Sequence, residues 1–513
     1  MKKSISVLLV LALLLSAVAA LADGKLISDE PVSLKLCVKE VSVAGASYAD
    51  NLPVFQAIED RTGVSIDWEV IPAEYSTVIS TRIAAMTDLP DILASDASNN
   101  MLIGSGVIIP LDDLVEQYAP NLQKLLADNP DVAPSMYGAD GHLYFLPARM
   151  ISMEGLGANP TAFMLRYDWL EKCGIEKAPE TIDEWHDVLV AFRDMDPNGN
   201  GEKDEAPFCA YSNYSVAFSS AWGIDWLNEF YVDDNGKVQY AWGNDATRDF
   251  LATMHDWYAE GLIAPDYLTN VNMDARLLEN KTGVSYMNAA SNCNYQNTNS
   301  TVEGIDWRPV APPNNVYTGE RGFLPTNGED RCSKYKLAIT SSCADPVVAI
   351  RWIDYMFSDE GLRFTNIGIE GMSYTLVGEG NIIYDDAYFA SDAAYENRKK
   401  AGIEPDGTIP HILTMQYFNA MKFAYSDVIN EACAPLVEYF RPRFPDYPLT
   451  EEEDEVISSV MTDIKTYSNE MIHKFIIGTE PMDKFDEYLA KLNAIGLSDV
   501  LAIKQAQYDR NNE

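Results

Sequence analysis

The segment VSLKLCV, residues 32–38, alternates apolar side chains with Ser, Lys and Cys, a pattern that is typical of a β-strand. A helical spacing of apolar residues follows at 53–62 and ends at a glycine. The alternation returns at 64–70, a second helical segment covers 74–86, and a short apolar strand lies at 92–94. This order of strands and helices predicts a parallel sheet with right-handed crossovers.

The carboxyl ends of these predicted strands indicate where a ligand could bind. Ligands of open parallel sheets bind in the crevice outside the carboxyl ends of the strands. We therefore expect the loops after Val38, Val70 and Ala94 to form walls of a binding site.

The rest of the chain indicates a second domain. With 513 residues, of which 47% are hydrophobic, the chain is long enough to build two cores. A capping box at 181–184 opens a helix, and residues 194–335 are rich in Asn, Gly, Trp and Tyr. A strand at 336–339 and a helix at 345–357 follow, and the tail from 451 to 508 is helical almost throughout.

The amino terminus has the pattern of a secretory signal peptide, residues 1–22. Lys2 and Lys3 precede an apolar stretch, Ile5–Leu15, that is too short to span a bilayer. Small residues at A-x-A spacing then predict cleavage before Asp23. Because no cysteine stands at this junction, no lipid attachment site is visible. We expect a secreted protein, at the cell surface or in a periplasm.

The chain is strongly acidic. Its formal net charge is −41, and loss of two lysines with the signal peptide makes it −43 (−41 − 2). Such a charge repels nucleic acid and anionic membranes, so we expect neither as a partner. The seven cysteines are scattered without metal-site spacing, which favours buried reduced thiols over a disulfide framework.

Catalytic signatures are scarce in this sequence. It contains no G-x-S-x-G, H-E-x-x-H or G-x-x-x-x-G-K-[ST] motif, and its five histidines lie far apart. Among 78 acidic residues some pair always has the spacing of a glycosidase dyad, so that chemistry stays open. The pattern favours a binding protein over an enzyme.

The sharpest motif is DPNGNGEKDE, residues 196–205, which places oxygen side chains at alternate positions around a glycine turn. It matches the first half of an EF-hand loop, with Gly201 at the bend, but its twelfth position is Pro207 and not glutamate. The predicted ligands of a calcium ion are Asp196, Asn198, Asn200, the backbone carbonyl of Glu202, Asp204 and Glu205. The alternative is a solvated turn that caps the preceding helix. In both cases the role is structural.

The aromatic residues point to a carbohydrate ligand. Nine tryptophans and 28 tyrosines are present, and many lie between 211 and 317 among asparagines. Sugars present C–H faces that stack on aromatic rings, and their hydroxyls need planar polar partners. For any single aromatic residue, however, the core is the more common place.

An ordered series of motifs resembles the extracellular solute-binding proteins of family 1. RTGV at 61–64 leads to Trp68 and then to DLPDI at 88–92. Further matching segments run through nearly all of the remaining chain: 109–111, 118–122, 141–147, 166–170, 349–361, 368–371 and 462–467. The loop at 196–205 matches the family's calcium loop. A closer likeness is to the subgroup of aldouronate transport substrate-binding proteins, which is related to alginate-binding proteins.

The resemblance implies an α/β fold, a two-lobed clamshell of the periplasmic-binding-protein type II with additional C-terminal helices. It assigns residues 31–147 and 336–370 to lobe 1, and residues 148–335 and 371–513 to lobe 2. The implied function is the extracytoplasmic substrate-binding component of an ABC importer. Such a protein captures an oligosaccharide between its lobes and delivers it to the membrane permease subunits. We expect a monomer with a structural calcium ion.

The predicted ligand contacts lie in segments expected near the cleft between the lobes. They are Arg149, Arg166, Trp222, Trp226, Tyr286, Asn288, Trp307, Arg308 and Tyr374. An arginine can hold a carboxylate through two hydrogen bonds, but each of the three can equally pair with a neighbouring acidic residue. The acidic chain also opposes the approach of an anion. We therefore favour a neutral oligosaccharide slightly over a uronate.

Two other functions stay open on the sequence. One is a secreted carbohydrate-cleaving enzyme, a glycosidase or a lyase, and analysis of products after prolonged incubation separates it from a binding protein. The other is a sensor that uses the same clamshell to present a ligand to a receptor, without transport. Neighbouring permease genes separate transport from sensing.

Overall fold

The computed structural model describes residues 26–512 except 213, 234, 270–272, 327–330, 379 and 423–424. The chain divides into two compact units. The first contains the residues up to Asn129, Met136–Met150 and Ser333–Gln416, and the second contains Pro130–Ser135, Ile151–Cys332 and the residues from Tyr417 onward. The predicted signal peptide, residues 1–22, lies outside the described residues.

The strands are numbered along the described chain. They are β1 (Val32–Lys39), β2 (Val64–Ile71), β3 (Ile92–Ser95), β4 (Leu146–Pro147), β5 (Arg149–Ile151), β6 (Thr161–Arg166), β7 (Phe230–Val232), β8 (Val238–Tyr240), β9 (Val284–Asn288), β10 (Trp307–Val310), β11 (Leu324–Pro325), β12 (Lys336–Ile339), β13 (Tyr374–Val377), β14 (Asn381–Tyr384), β15 (His411–Leu413) and β16 (Phe440–Arg441).

The α-helices are numbered in the same way. They are α1 (Pro53–Thr62), α2 (Tyr75–Ala85), α3 (Asn99–Ser105), α4 (Asp112–Tyr118), α5 (Pro120–Asp128), α6 (Met153–Ala158), α7 (Tyr167–Lys172), α8 (Ile182–Asp194), α9 (Asp245–Ala259), α10 (Met273–Leu278), α11 (Ala289–Asn299), α12 (Pro346–Met356), α13 (Asp359–Ile367), α14 (Asp386–Phe389), α15 (Ala394–Ala401), α16 (Met415–Lys422), α17 (Asp427–Cys433), α18 (Glu451–Ile477), α19 (Phe485–Ile495) and α20 (Leu497–Asn512). None of those in the described ranges has both the length and the apolar character needed to cross a membrane.

The first unit is built on a five-stranded sheet with the order β2-β1-β3-β12-β4. β1 is parallel to β2 and β3, with Val32 opposite Val64 and Leu36 opposite Ile92. β12 comes from much later in the chain and is antiparallel to both β3 and β4. The predicted parallel arrangement of the first three strands, and with it the α/β class, is confirmed.

The helices between these strands end where the sequence changes character. α1 begins at Pro53, whose fixed φ suits the first turn of a helix, and stops before Gly63. Gly63 has a φ of +77°, a left-handed conformation that glycine adopts without a steric penalty, and its N–H donates to the carbonyl of Glu59 over 2.8 Å. The chain can therefore reverse directly into β2.

Residues 371–416 group with the first unit, whereas the resemblance assigned them to lobe 2. Asn366, on α13, explains the difference. Its buried amide donates to the carbonyl of Ile412 (2.7 Å) and accepts from the N–H of Thr414 (2.8 Å). The neighbouring Thr365 carbonyl accepts a hydrogen bond from the N–H of Glu404 (2.8 Å). These bonds fasten the returning segment to a helix of the first unit.

The second unit is built around a three-stranded antiparallel sheet with the order β10-β6-β9. Trp169, Trp185 and Trp307 are fully buried in its core. The capping box predicted at 181–184 is present at the start of α8. The carboxyl-terminal helices α18, α19 and α20 belong to this unit, and α18 packs on α9. The additional C-terminal helices are thus confirmed.

All seven cysteines lie in the described part of the chain, and none of them forms a disulfide bond there. Cys37, Cys209, Cys293 and Cys433 are buried. Burial raises the pKa of Cys37 to about 12. Burial likewise raises the pKa of Cys293 and Cys433, so these three thiols stay protonated at neutral pH, and all four buried cysteines pack as small apolar side chains.

Candidate functional site

In the first unit, the carboxyl ends of β1 and β3 meet a group of aromatic side chains. The hydroxyl of Tyr75 lies 3.0 Å from the carbonyl oxygen of Cys37 and 2.8 Å from that of Ala94. Tyr335 packs edge-on against Tyr75, with 5.5 Å between the ring centroids. This edge of the sheet is where ligands of parallel sheets bind.

Two lysines flank the ring of Tyr335 at this edge. The Nζ atoms of Lys39 and Lys334 lie 5.7 Å and 5.0 Å from its centroid. Each ammonium also has a carboxylate nearby, Asp406 at 3.9 Å and Asp96 at 2.7 Å respectively. The edge therefore offers charged hydrogen-bonding groups whose charges are balanced.

Sequence reasoning pointed to the loops after β1 and β3 but missed Lys334 and Tyr335. These two residues precede β12, which runs antiparallel to β3 with Lys336 opposite Ser95. The start of β12 thus lies at the carboxyl end of β3. That pairing joins distant parts of the chain, and no local pattern reveals it.

In the second unit, amide and hydroxyl side chains gather where β9 ends. Asn288, one of the predicted contacts, is exposed, and its side-chain oxygen accepts a hydrogen bond from Thr161 (2.8 Å). Asn159 accepts from the backbone N–H of Ser291 (3.0 Å) and donates to its hydroxyl (3.2 Å). Planar amides of this kind match the hydrogen-bonding pattern of sugar hydroxyls.

Arg166 lies inside the second unit, fully buried. Its guanidinium carbon is 4.8 Å from the ring of Trp169 and 5.7 Å from the ring of Trp307. It donates two hydrogen bonds to Asp168 (2.7 Å and 2.6 Å) and one to Asn280 (2.8 Å). The structure thus places both Arg166 and Trp307 in a core ion-pair cluster, and their contact with a ligand stays a prediction.

Arg308 and Arg149, the other two predicted arginines, are less buried. Arg308 forms an ion pair with Asp306 (2.6 Å), and its guanidinium carbon lies 4.4 Å from the ring centroid of Tyr167. Arg149 is half-buried in β5, and its carbonyl accepts a hydrogen bond from the N–H of Ser333 (2.8 Å). Arg308 thus pairs with a carboxylate of the chain two residues away. A neighbouring acidic residue was the alternative partner that the sequence suggested in place of a ligand carboxylate.

The structure brings some of the predicted aromatic contacts together and separates others. Trp226 and Tyr286 form an edge-on pair with 5.6 Å between ring centroids. Trp222 packs instead against Phe250, at 5.5 Å. Tyr374 is buried in the first unit, on β13. Trp226 is the member of this group that lines a cavity.

That cavity has a volume of about 670 Å³ and lies within the second unit. One wall is formed by the segment 212–242 and the other by the middle of α18. The side chains on the two walls include Trp226, Tyr240, Trp242, Glu229, Lys465 and Asn469. Of these residues Trp226 alone was a predicted ligand contact, and the residues of α18 could not be foreseen because the two walls are far apart in the chain.

The loop at 196–205 folds around its own oxygen atoms. The carboxylate of Asp196 accepts hydrogen bonds from the backbone N–H groups of Asn200 (3.1 Å) and Gly201 (3.0 Å). The side-chain amides of Asn198 and Asn200 both donate to one carboxylate oxygen of Asp204 (3.1 Å each). The other oxygen of Asp204 pairs with Lys281 (2.9 Å).

The surroundings of the Glu205 carboxylate indicate whether this loop suits a cation. Both of its carboxylate oxygens are shielded from solvent and have no hydrogen-bond partner. Burial raises the pKa of Glu205 and the charges of Asp196 and Asp204 add to the rise, whereas the adjacent backbone N–H groups of Glu205 and Asp204 oppose it. No three His, Cys, Asp or Glu side chains of the described residues converge as a ligand set, so asparagine amides and a backbone carbonyl would have to complete the site. This donor set of hard oxygens fits calcium.

Similar proteins are known. The chain is 28% identical over 496 residues to the fructooligosaccharide ABC transporter substrate-binding protein FusA of Streptococcus pneumoniae serotype 4, a match that covers 89% of this chain and 86% of FusA. It is 27% identical over 154 residues to the polygalacturonan/rhamnogalacturonan-binding protein YtcQ of Bacillus subtilis, covering 29% of this chain and 28% of YtcQ.

Solved structures share the fold. The alginate-binding protein AlgQ2, solved without calcium ion, superposes with a TM-score of 0.74 at 25% identity, covering 95% of this chain and all of AlgQ2 (100%). A solute-binding protein of Bifidobacterium longum infantis that binds HMO has a TM-score of 0.73 at 18% identity, covering 94% of this chain and 99% of its own. A family model described as bacterial extracellular solute-binding protein matches residues 45–362, which is more than half of the chain. The chain therefore belongs to the bacterial extracellular solute-binding proteins.

Proposed function

We propose that this protein is the extracytoplasmic substrate-binding component of an ABC importer and that its ligand is an oligosaccharide. The observation that carries the proposal is the similarity to FusA over 89% of this chain, because FusA is a fructooligosaccharide-binding protein of such a transporter. The match is long enough to include most of both compact units. The permease subunits of the importer are the protein partner that this function requires.

The polar and aromatic groups described above support a sugar ligand. Lys39 and Lys334 beside the largely buried ring of Tyr335 in the first unit, and Asn159 with Asn288 in the second, provide an aromatic ring and hydrogen-bonding groups. Sugar recognition needs both, since a sugar has apolar C–H faces and a rim of hydroxyls. We propose that these groups contact the ligand.

The charges at these places favour a neutral sugar. The lysines beside Tyr335 are matched by Asp96 and Asp406, and Arg308 is matched by Asp306. A uronate carboxylate would have to displace these partners before it could form its own ion pair. We therefore propose a neutral oligosaccharide as the ligand.

We also propose that the loop at 196–205 binds calcium. Its ligands would be the side-chain oxygens of Asp196, Asn198, Asn200, Asp204 and Glu205 and the backbone carbonyl of Glu202. A bound divalent cation would offset the cost of burying the unpaired Glu205 carboxylate. Calcium here would stiffen the loop between α8 and the chain that leads to Phe208, which bridges to Val284 of β9.

Isothermal titration calorimetry tests the sugar proposal. The protein without residues 1–22 is titrated with neutral oligosaccharides, including kestose, and with uronic oligosaccharides of equal length, always with excess calcium. We expect saturable binding of a neutral oligosaccharide and no change in the sugar after prolonged incubation. Shortened products formed at a catalytic rate would instead identify a glycosidase or a lyase. Loss of uptake of the bound sugar on deletion of the gene separates transport from sensing.

A further inference from the structure

The cavity beside α18 is lined by none of the residues that we propose to contact the oligosaccharide. Its walls come from the segment 212–242 and from α18, which lies outside the residues 45–362 matched by the family model. Its volume of about 670 Å³ falls in the range of roughly 300–1,000 Å³ that is usual for small-molecule sites. It lies entirely within the second unit.

One side of this cavity is aromatic. Trp226 is 7% exposed, and its indole N–H is buried without a hydrogen-bond partner. Trp242 is half-buried and also lines the cavity. Tyr240 completes this side, with its hydroxyl 2.7 Å from that of Ser468. Aromatic side chains suit the C–H face of a sugar ring.

The other side is polar and exposed. Asn469 and Thr466 project from α18 one turn apart and line the cavity without being buried. Lys465 forms an ion pair with Glu229 across the cavity walls (2.5 Å). These groups supply an amide, a hydroxyl and a charged pair, which together can donate to and accept from sugar hydroxyls.

The charges on the cavity walls disfavour an anion. Lys465 is neutralised by Glu229, and Glu470 adds a further carboxylate that pairs with Lys474 (2.5 Å). His473, the histidine of the lining, shares a hydrogen bond with Tyr267 (3.0 Å), and burial lowers its pKa, which favours the neutral form. The lining therefore carries no unmatched positive charge for a carboxylate.

We propose that this cavity is a second sugar site, which binds one neutral sugar ring between its aromatic side and Asn469. The inference rests on the proposed function for the class of ligand, but it concerns a separate place in the molecule. The ring could belong to a free monosaccharide or to the end of an oligosaccharide that the protein captures. Both sources present the same chemistry to the cavity.

The test uses Asn469→Trp, which fills the cavity from an exposed position and leaves the core of the second unit intact. The matched control is Asp463→Asn, an exposed site on α18 that does not line the cavity. Saturation-transfer NMR and calorimetry are carried out with glucose, fructose, glucuronate and kestose on the calcium-loaded protein. We expect glucose or fructose, or the trisaccharide kestose, to bind at least tenfold more weakly to Asn469→Trp and unchanged to the control. Glucuronate should bind wild type at least tenfold more weakly than the neutral monosaccharides.

The outcomes separate the two sources and the two proposals. An effect of Asn469→Trp on glucose or fructose identifies a free monosaccharide, and an effect confined to kestose identifies the end of an oligosaccharide. Equal binding of every sugar by wild type and Asn469→Trp overturns the second site while leaving the proposed function intact. Glucuronate that binds as tightly as the neutral sugars overturns it as well. If wild type binds glucose but no oligosaccharide, and Asn469→Trp weakens the binding of glucose, the proposed function fails and the second site stands.

Discussion

Glu205 is the side chain on which the calcium proposal depends most directly. Its two carboxylate oxygens are shielded from water and unpaired, and two further carboxylates lie close enough to raise its pKa. A buried ionised group without a partner is costly, whereas a cation beside it removes the cost. The local geometry therefore connects ion binding with the stability of the second unit.

Replacement of Glu205 by Gln should reduce the stabilisation of the protein by calcium. With calcium at about 100 times its Kd, wild type should gain roughly 2.7 kcal/mol of unfolding free energy over the chelated protein. Glu205→Gln should lose most of that gain, while Glu202→Gln should keep it, because Glu202 is exposed and contributes only its backbone carbonyl. Thermal unfolding with calcium and with excess chelator checks this. Identical melting curves under both conditions, with no metal found by elemental analysis, would contradict the calcium site.

Asp225 should make the stability of the second unit depend on pH. It is fully buried, and burial raises its pKa from 3.8 to about 7, although hydrogen bonds from Asn228 oppose the rise. Between these two pH values the folded protein holds a proton that the unfolded chain has lost, so stability falls as pH rises and levels off above pH 7. The contribution lost is at most about 4 kcal/mol. Asp225→Asn cannot ionise, so its denaturant unfolding should vary less between pH 5 and pH 8; a profile as steep as that of wild type would refute the assignment.

Residue type alone cannot decide whether an arginine pairs with a ligand or with an acidic residue of the chain, as the predicted arginines show. Arg166 and Arg308 were chosen as possible partners of a carboxylate ligand, but each has a carboxylate of the chain two residues away, Asp168 and Asp306. Each arginine lies at or next to an end of a strand, Arg166 at the end of β6 and Arg308 in β10, and its acidic partner lies just beyond that strand, so a carboxylate this near in the chain was a usable sign of an internal ion pair. The burial of Arg166 between two indoles had no such local sign, because it depends on which strands pair.

At the scale of elements, α18 carries both a wall of the cavity and much of the packing of the second unit. Its 27 residues begin at a capping box in which Thr450 and Glu453 satisfy each other's backbone N–H groups. Met461, Ile464 and Phe475 are among the residues that it buries. Its stability therefore matters for the cavity and for the core.

Removal of the cap should lower the stability of this unit by a small and defined amount. Thr450→Ala deletes the hydroxyl that accepts from the N–H of Glu453 (3.3 Å), which typically costs about 1 kcal/mol. Thr462→Ala, at an exposed position inside the same helix, should cost nothing or stabilise slightly, since Ala is the better helix former. Urea unfolding followed by circular dichroism compares the two variants. Equal midpoints would show that the capping box contributes nothing.

Elements with a strong local signal were predictable. The segments at 32–38, 64–70 and 92–94 became β1, β2 and β3 because alternation and flanking helices agree on one sheet. The segment 371–416 had no comparable signal. Its place in the first unit depends on tertiary contacts that no periodicity announces, among them the hydrogen bonds of the buried amide of Asn366 and of the Thr365 carbonyl.

At the scale of the whole molecule, the cavity illustrates why sites are harder to predict than folds. Trp226 was a predicted contact, but its neighbours across the cavity lie on α18, more than 200 residues later. The sequence places aromatic residues in one region and a long helix in another, and tertiary packing alone decides that they meet. The calcium loop is the opposite case, because all of its ligands lie within ten consecutive residues.

The acidity of the molecule bears on how fast ligands of different charge arrive. A formal net charge of −41 produces a long-range potential that opposes the approach of an anion. The Debye length is about 30 Å at 0.01 M salt and about 8 Å at 0.15 M, so this potential is screened under physiological conditions. Affinity is set instead by the groups that contact the ligand. Their distances to the ligand are shorter than the Debye length, so salt screens these contacts much less.

The rate at which a uronate associates should therefore rise with salt, whereas the rate for a neutral sugar should not. Stopped-flow tryptophan fluorescence with trigalacturonate and with kestose, from 0.01 to 0.15 M NaCl and at constant excess calcium, measures both rates. We expect a several-fold increase in the association rate of trigalacturonate and a change within error for kestose, because only the anion experiences the field that salt removes. The neutral trisaccharide is the control for any effect of salt on the protein itself. If the association of trigalacturonate slows as salt is added, a local positive potential guides the anion, and the preference for a neutral ligand is wrong.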